Sequence, residues 1–260
     1  MLFRSQSLGA ASRVLPYLTL LFIPIIIGMP HLYEWTNPEV VNADEVLRGK
    51  AAYLNTNFFI VRAVFYFASW IGLATLLSKW SLQQDGGDQT AARKMQLLSG
   101  GGLVLYGLTI TFAAVDWVMS LDPHWFSTMM GFLFMAGQGL ISLAFVVIVA
   151  AALAKRAPMD HVFKAVHFHD LGKLMYAFVL LWAYFSVSQL IIIWSGNLPE
   201  EIPFYTRRFE GPWGWVSVLV LIGHFVIPFA FLLSRTIKRN PSLAAKVALW
   251  ILVMRAVEIA

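Results

Sequence analysis

Arg62, Asp116, His224, Arg255 and Glu258 stand inside long apolar runs of a chain that contains no cysteine. A charged side chain placed at such depth in a bilayer costs about 3 kcal/mol or more, so these positions are candidates for function before any other consideration. Their chemistry is that of proton transfer, or of hydrogen bonding to a protonatable ligand. The absence of cysteine removes disulfides, thiolate-bound zinc, iron–sulfur clusters and covalently attached c-type haem from this chain.

Spacing assigns provisional partners. Counted at about 1.5 Å per residue, Arg62 lies a few residues inside the outer end of the second apolar run. Asp116 lies at a similar depth in the third, so an Arg62–Asp116 pair is allowed. Such a pair would offset two otherwise expensive charges. It can serve a proton or ligand, or only lock two helices, and the two groups can also snorkel separately. Arg255 and Glu258 are three residues apart, a spacing that brings side chains together on one helical face.

His224 falls near mid-membrane, four residues before Pro228. A proline there removes an N–H and frees the carbonyl around His224, bending the helix. The imidazole is a candidate to hydrogen-bond a carbonyl or phenol oxygen, with Gln138 at comparable depth and Asp116 as a further candidate for the same ligand; a packing histidine and a helix-bridging glutamine are the plain alternatives. The segment HVFKAVHFHDLGKLMY collects His161, Lys164, His167, His169, Asp170, Lys173 and Tyr176. It reads either as a proton-collecting surface feeding a path through Tyr176, Tyr184, Ser186 and Ser188, or as a solvated helix start. His167 and His169 are two apart, about 200° around a helix, which is poor spacing for a metal. Only His224 is deep enough to meet a haem, and a bis-histidine site needs two such residues. Nucleotide-binding, GxSxG and HExxH signatures do not occur, and GGG at 100–102 suits close helix packing.

The elements that must position these residues are membrane helices. Of 260 residues, 59% are hydrophobic and 13% charged, with a mean hydropathy of +0.70, far from a soluble domain. Apolar stretches at Val14 to Met29, Phe58 to Leu77, Gly101 to Met119, Phe126 to Leu153, Leu174 to Trp194, Trp213 to Leu233 and Ala244 to Ala260 predict an all-α, polytopic bundle of about seven spans in one domain. The last has no polar flank at Ala260, so a piece of a longer chain is expected, and Ser5 to Ala11 lacks the apolar core of a signal peptide.

Arg4, Arg13, Lys79, Arg93, Lys94, Lys155, Arg156, Lys164, Lys173, Arg235, Lys238, Arg239 and Lys246 fall on one side, against Arg48, Lys50, Arg207 and Arg208 on the other. The positive-inside rule therefore places the N-terminus in the cytoplasm, and this pattern explains the net charge of +5 without nucleic acid. Most acidic loop residues, Glu34, Glu39, Asp44, Glu45, Asp122, Glu200, Glu201 and Glu210, face outward; Asp85, Asp88, Asp160 and Asp170 face inward. The stretch VNADEVLRGKAAYL predicts a short surface helix. Trp70, Trp80, Trp117, Trp125, Trp194, Trp213 and Trp215 read mostly as interfacial anchors.

Two stretches go beyond generic hydrophobicity: DWVMSLDPHWFSTMMG from Asp116 to Gly131, and HDLGKLMYAFVLLWAYFSVSQLIIIWSGNLPEEIPFYTRR from His169 to Arg208. They closely resemble the second quinone-binding-type membrane subunit of alternative complex III, a quinol:cytochrome c or quinol:acceptor oxidoreductase, within the polysulfide-reductase membrane-subunit family. The resemblance implies a multi-pass subunit of the bacterial inner membrane, surrounded by lipid, of which this chain lacks spans at both ends. It implies a sister quinone-binding membrane subunit alongside, and periplasmic iron–sulfur and haem c subunits that carry the electrons. It further implies that the sister is the stronger candidate for the quinol site and that this type conducts protons, with Asp116, His169, Asp170 and Tyr176 as the matching path candidates. Two other classes remain open on the residues alone: an autonomous proton or ion transporter, for which inverted repeats are not evident, and a membrane anchor whose buried charges are all paired and inert.

Overall fold

A computed structural model describes residues 14–154, 156–157 and 163–259. Arg4, Arg13, the Ser5 to Ala11 segment, Lys155, Asp160, His161 and Ala260 lie outside the described residues. The chain divides into two compact units, one ending at Gly131 and the other beginning at Phe132.

The first unit begins with α1 (Leu15–Leu21) and α2 (Ile23–Leu32), which together form a first apolar span. A 3-10 turn, Glu34–Thr36, leads into two short helices, α3 (Pro38–Ala43) and α4 (Glu45–Lys50). The single surface helix expected from VNADEVLRGKAAYL is thus broken. Asp44 takes an extended backbone, φ −111°, and its carboxylate accepts the Val46 and Leu47 N–H groups, ending one helix and starting the next.

Helices α5 (Thr56–Asp85) and α6 (Gln89–Trp117) form the long hairpin of this unit. Each starts on a polar cap: Asn55 accepts Phe58 N–H at 2.9 Å, and Asp88 accepts Thr90 N–H at 2.8 Å. Gly87, at φ +99°, supplies the left-handed residue that the intervening turn requires. Both helices extend well past the apolar runs Phe58 to Leu77 and Gly101 to Met119, because a helix continues into the aqueous interface wherever nothing breaks it. The core of this unit joins Phe22, Met29, Tyr33, Trp35, Leu47, Phe59 and Ala63.

The second unit holds α7 (Met130–Leu153, entered from the end of the first), α8 (Ala165–Gly196), α9 (Pro203–Phe209) and α10 (Gly211–Val220). A π-helical turn at Leu221–Val226, then α11 (Ile227–Leu233), α12 (Arg235–Arg239) and α13 (Pro241–Ile259), complete it. Phe126 belongs to a non-helical connection, so the fourth span starts later than its apolar run does. Leu140, Ala144, Val147, Met175, Val179, Leu232, Ala248 and Ile251 pack the core of this unit.

Six helical stretches among the described residues are long and apolar enough to cross a membrane: Leu15–Leu32, Thr56–Asp85, Thr90–Leu121, Met130–Leu153, Ala165–Gly196 and Gly211–Leu233. The chain is therefore an all-α, multi-pass membrane protein. The seventh apolar stretch is the 19-residue helix α13, whose inward face buries Ala244, Val247, Ala248, Ile251, Met254 and Arg255. Large side chains left bare elsewhere, such as Ile27 and Leu103, are the surface expected against lipid.

Tryptophans divide into two classes. Trp194, Trp213 and Trp215 are exposed, as interfacial anchors should be. Trp125 is buried, and Trp70 and Trp117 pack with Tyr66 and Phe67 inside the first unit, so these three are core residues instead.

Candidate functional site

In the first unit, Arg62 of α5 and Asp116 of α6 meet as expected from their matched depth. Arg62 Nε donates to Asp116 Oδ2 at 2.8 Å and Nη2 donates to Oδ1 at 3.0 Å, a bidentate fork. Tyr66, one helical turn after Arg62, donates its hydroxyl to the same Oδ2 at 2.8 Å. The remaining guanidinium nitrogen, Nη1, donates to the Tyr53 carbonyl at 3.0 Å, and the cation lies 3.9 Å over the Tyr53 ring and 4.3 Å over Phe58. Ser120 donates to the Asp116 backbone carbonyl. Asp116 is fully buried, and three donors occupy its carboxylate.

The outer loops close over this pair. Tyr33 donates to the Trp117 carbonyl, Trp35 Nε1 to the Ser120 carbonyl and Lys50 Nζ to the Pro123 carbonyl, while His124 Nε2 sits 2.6 Å from Asp44 Oδ2. Burial, with the Asp116 charge added, pushes the Tyr33 phenol up to about 12. The same two causes, burial first, raise Tyr53.

In the second unit, a different cluster forms around the π-helical turn. A π turn inserts one residue into the helical ladder, and Pro228 follows within the next turn. The Gly223 carbonyl exposed there accepts Trp250 Nε1–H at 2.7 Å. His224 is completely buried and packs at a tilt against Trp182, ring centroids 4.3 Å apart and planes at 48°. Its Nδ1 is 3.6 Å from Glu258 Oε2. Arg255 Nη1 reaches that same oxygen at 2.6 Å, and Trp182 Nε1 donates to Glu258 Oε1 at 2.8 Å. The imidazole thus faces Glu258, Arg255 and the Met254 backbone.

The first cluster leaves the Tyr53 hydroxyl and Trp117 Nε1 buried without a hydrogen bond; the second leaves atoms of the ionisable groups themselves. Both nitrogens of His224, Arg255 Nε and Glu258 Oε2 are buried without a well-formed hydrogen bond. Glycines make the room: a Cβ at Gly137 of α7 would overlap the Arg255 guanidinium, and one at Gly223 would meet the Met254 side chain. Gln138, the next residue after Gly137, is half-buried and has an interaction of its own.

The group around His167 and Asp170 is arranged as a helix start. His167 Nδ1 accepts the Lys164 N–H at 3.1 Å, capping α8. Asp170 lies between Lys173 Nζ at 3.6 Å and His169 Nδ1 at 3.9 Å. Tyr176 lies under Lys238 and against Phe229, which in turn contacts Phe225. Tyr184 is mostly exposed. The expected polar file through Tyr176, Tyr184, Ser186 and Ser188 is therefore not one buried path, since Tyr184 turns outward and aromatic rings flank Tyr176. No group of three or more potential metal ligands occurs among the described residues.

Sequence reasoning passed over Tyr66, Trp182, Gly137 and Trp250. Tyr66 carried a usable signal, its four-residue spacing from Arg62. Trp182 and Trp250 act through long-range packing, which periodicity does not encode. In comparison with known proteins, the chain matches no family model and no curated protein.

Proposed function

We propose that this protein is a membrane subunit of a respiratory quinol:acceptor oxidoreductase that takes up and passes protons while partner subunits carry the electrons. The stretches at Asp116 to Gly131 and His169 to Arg208 support the family assignment by resemblance. One observation carries the proton role: His224 and Glu258 face each other in a buried cluster that retains unused hydrogen-bonding capacity.

Glu258 and His224 are the groups that hold and exchange a proton. At 3.6 Å the Oε2 to Nδ1 gap is longer than a hydrogen bond, and rotation of the Glu258 side chain closes it. Arg255 offsets the carboxylate charge on one side, and Trp182 fixes the other oxygen. Asp116 has a different task. Three donors fill all but one of the roughly four acceptor sites of its carboxylate, and it serves to tie α5 to α6.

The test is turnover in the native complex. Glu258→Gln and His224→Gln lower quinol-to-acceptor turnover by at least about tenfold, within the range of a lost acid–base group, while the complex assembles normally. Asp116→Asn lowers the yield of assembled complex. Normal turnover in both of the first two variants would remove the proton role, and purification of this chain without iron–sulfur or haem c partners would remove the family assignment.

A further inference from the structure

A groove of about 440 Å³ opens between α11, α12 and α13, lined by Ile227, Phe231, Ile237, Val247, Trp250 and Lys246. Its wall is apolar except at Lys246. That lysine is exposed, with no ion-pair partner among the described residues. Lys246 and Trp250 are four residues apart on α13, so about 6 Å of groove separates the cation from the indole along the helix axis. Trp250 cannot swing freely, because its Nε1 is held by the Gly223 carbonyl.

The groove's position is that of the basic membrane face. Ile237 belongs to α12, and the same short helix carries Arg235, Lys238 and Arg239. Lys238 is committed to the Tyr176 ring, whereas Arg235 and Arg239 are exposed. Thus the apolar slot carries one exposed cation in its own wall, Lys246, on the side that the positive-inside rule assigns to the cytoplasm, while Arg235 and Arg239 stand about 200° around α12 from Ile237 and add to the basic character of that face. Basic pockets between helices on that face suit anionic lipid headgroups.

We propose that this groove binds an anionic phospholipid of the inner leaflet, one acyl chain lying along Phe231, Val247 and Trp250 and the phosphate held by Lys246. Charge complementarity selects this occupant over a zwitterionic lipid. The Trp250–Gly223 hydrogen bond joins the lipid-facing wall to the π turn that carries His224. This site rests on the membrane fold alone and stands apart from the proton role.

Native mass spectrometry of the intact protein, or of its complex, tests it after equilibration with equimolar dioleoyl phosphatidylglycerol and dioleoyl phosphatidylcholine. Retained lipid favours phosphatidylglycerol by roughly fivefold for each basic side chain engaged. Lys246→Gln reduces that preference by about fivefold, and Phe231→Trp, which fills the groove, lowers the number of retained lipids. Lys94→Gln, in the other unit, leaves the preference unchanged. Equal retention of the two lipids by the unaltered protein, or a preference indifferent to Lys246→Gln, would overturn the proposal. So would a cross-link from Leu243 to another polypeptide in place of lipid.

Discussion

Glu258 Oε2 lies 2.6 Å from Arg255 Nη1 and 3.6 Å from His224 Nδ1, so one carboxylate oxygen faces both a permanent cation and a titratable base. The Arg62–Asp116 pair has beside it the Tyr53 hydroxyl, which is without a hydrogen bond. All its polar atoms are directed at fixed donors and acceptors, and the outer loops seal it. The two ion pairs therefore differ in geometry: one is a bidentate fork that joins the hairpin helices, and the other leaves His224 Nδ1 3.6 Å from its carboxylate.

Breaking the first pair on one side leaves a charge stranded. Arg62→Ala or Asp116→Ala destabilises the protein by about 3–5 kcal/mol, and Tyr66→Phe by about 1.5–3 kcal/mol, the range for a hydrogen bond to a charged group. Replacing Arg62 and Asp116 together by apolar residues costs less than the sum of the single changes. Thermal unfolding in detergent, analysed as a double-mutant cycle, checks this.

Glycines on the helices are not equivalent. Gly137→Ala pushes a methyl group into the Arg255 guanidinium and costs about 1–3 kcal/mol by overpacking, together with a loss of turnover that follows displacement of Arg255 from Glu258. Gly100→Ala meets open space and is neutral or stabilising by up to about 1 kcal/mol. Parallel melting curves and turnover assays of the two variants separate packing from general helix effects.

The outer latch between Asp44 and His124 depends on pH. The Leu47 N–H, followed by His124, holds the Asp44 carboxyl below its ordinary value. A depressed folded value means that the contribution is complete above the unfolded value of about 3.9 and disappears as pH falls through the folded one. Hydrogen exchange of residues 38–50 should rise over that acidic window. Asp44→Asn should remove the dependence, and His124→Ala should only shorten it, because the backbone donors remain.

The absence of cysteine from the sequence makes orientation directly measurable. A single cysteine at Asp122 should react with a membrane-impermeant thiol reagent from the outer side. One at Gln84 should react only after the cytoplasmic face is opened. The reverse pattern would invert the topology.

Local and pairwise features were legible in the sequence. Arg62 and Asp116 advertised each other by opposite charge at equal depth on consecutive helices, and Arg255 and Glu258 by their three-residue spacing. Pro228 signalled a disturbed helix near His224, and the π turn is its form. The approach of His224 to Glu258 was not legible, because it depends on the packing of α13 against the π turn and on the room left by Gly137 and Gly223. Nor was the break at Asp44: the segment has enough helix formers for one helix, and only the cap geometry divides it. The polar residues before and within α8 looked like a path because sequence gives their order but not which face each one occupies.

The central claim is that Glu258 and His224 carry protons. It is tested most directly by the proton-to-electron ratio of the native complex in sealed proteoliposomes, followed with a pH-sensitive dye during quinol oxidation. The account predicts that Glu258→Gln lowers this ratio and slows turnover in fully assembled complex, whereas Lys173→Gln changes neither. An unchanged ratio and rate in Glu258→Gln would contradict it and leave the buried cluster as packing.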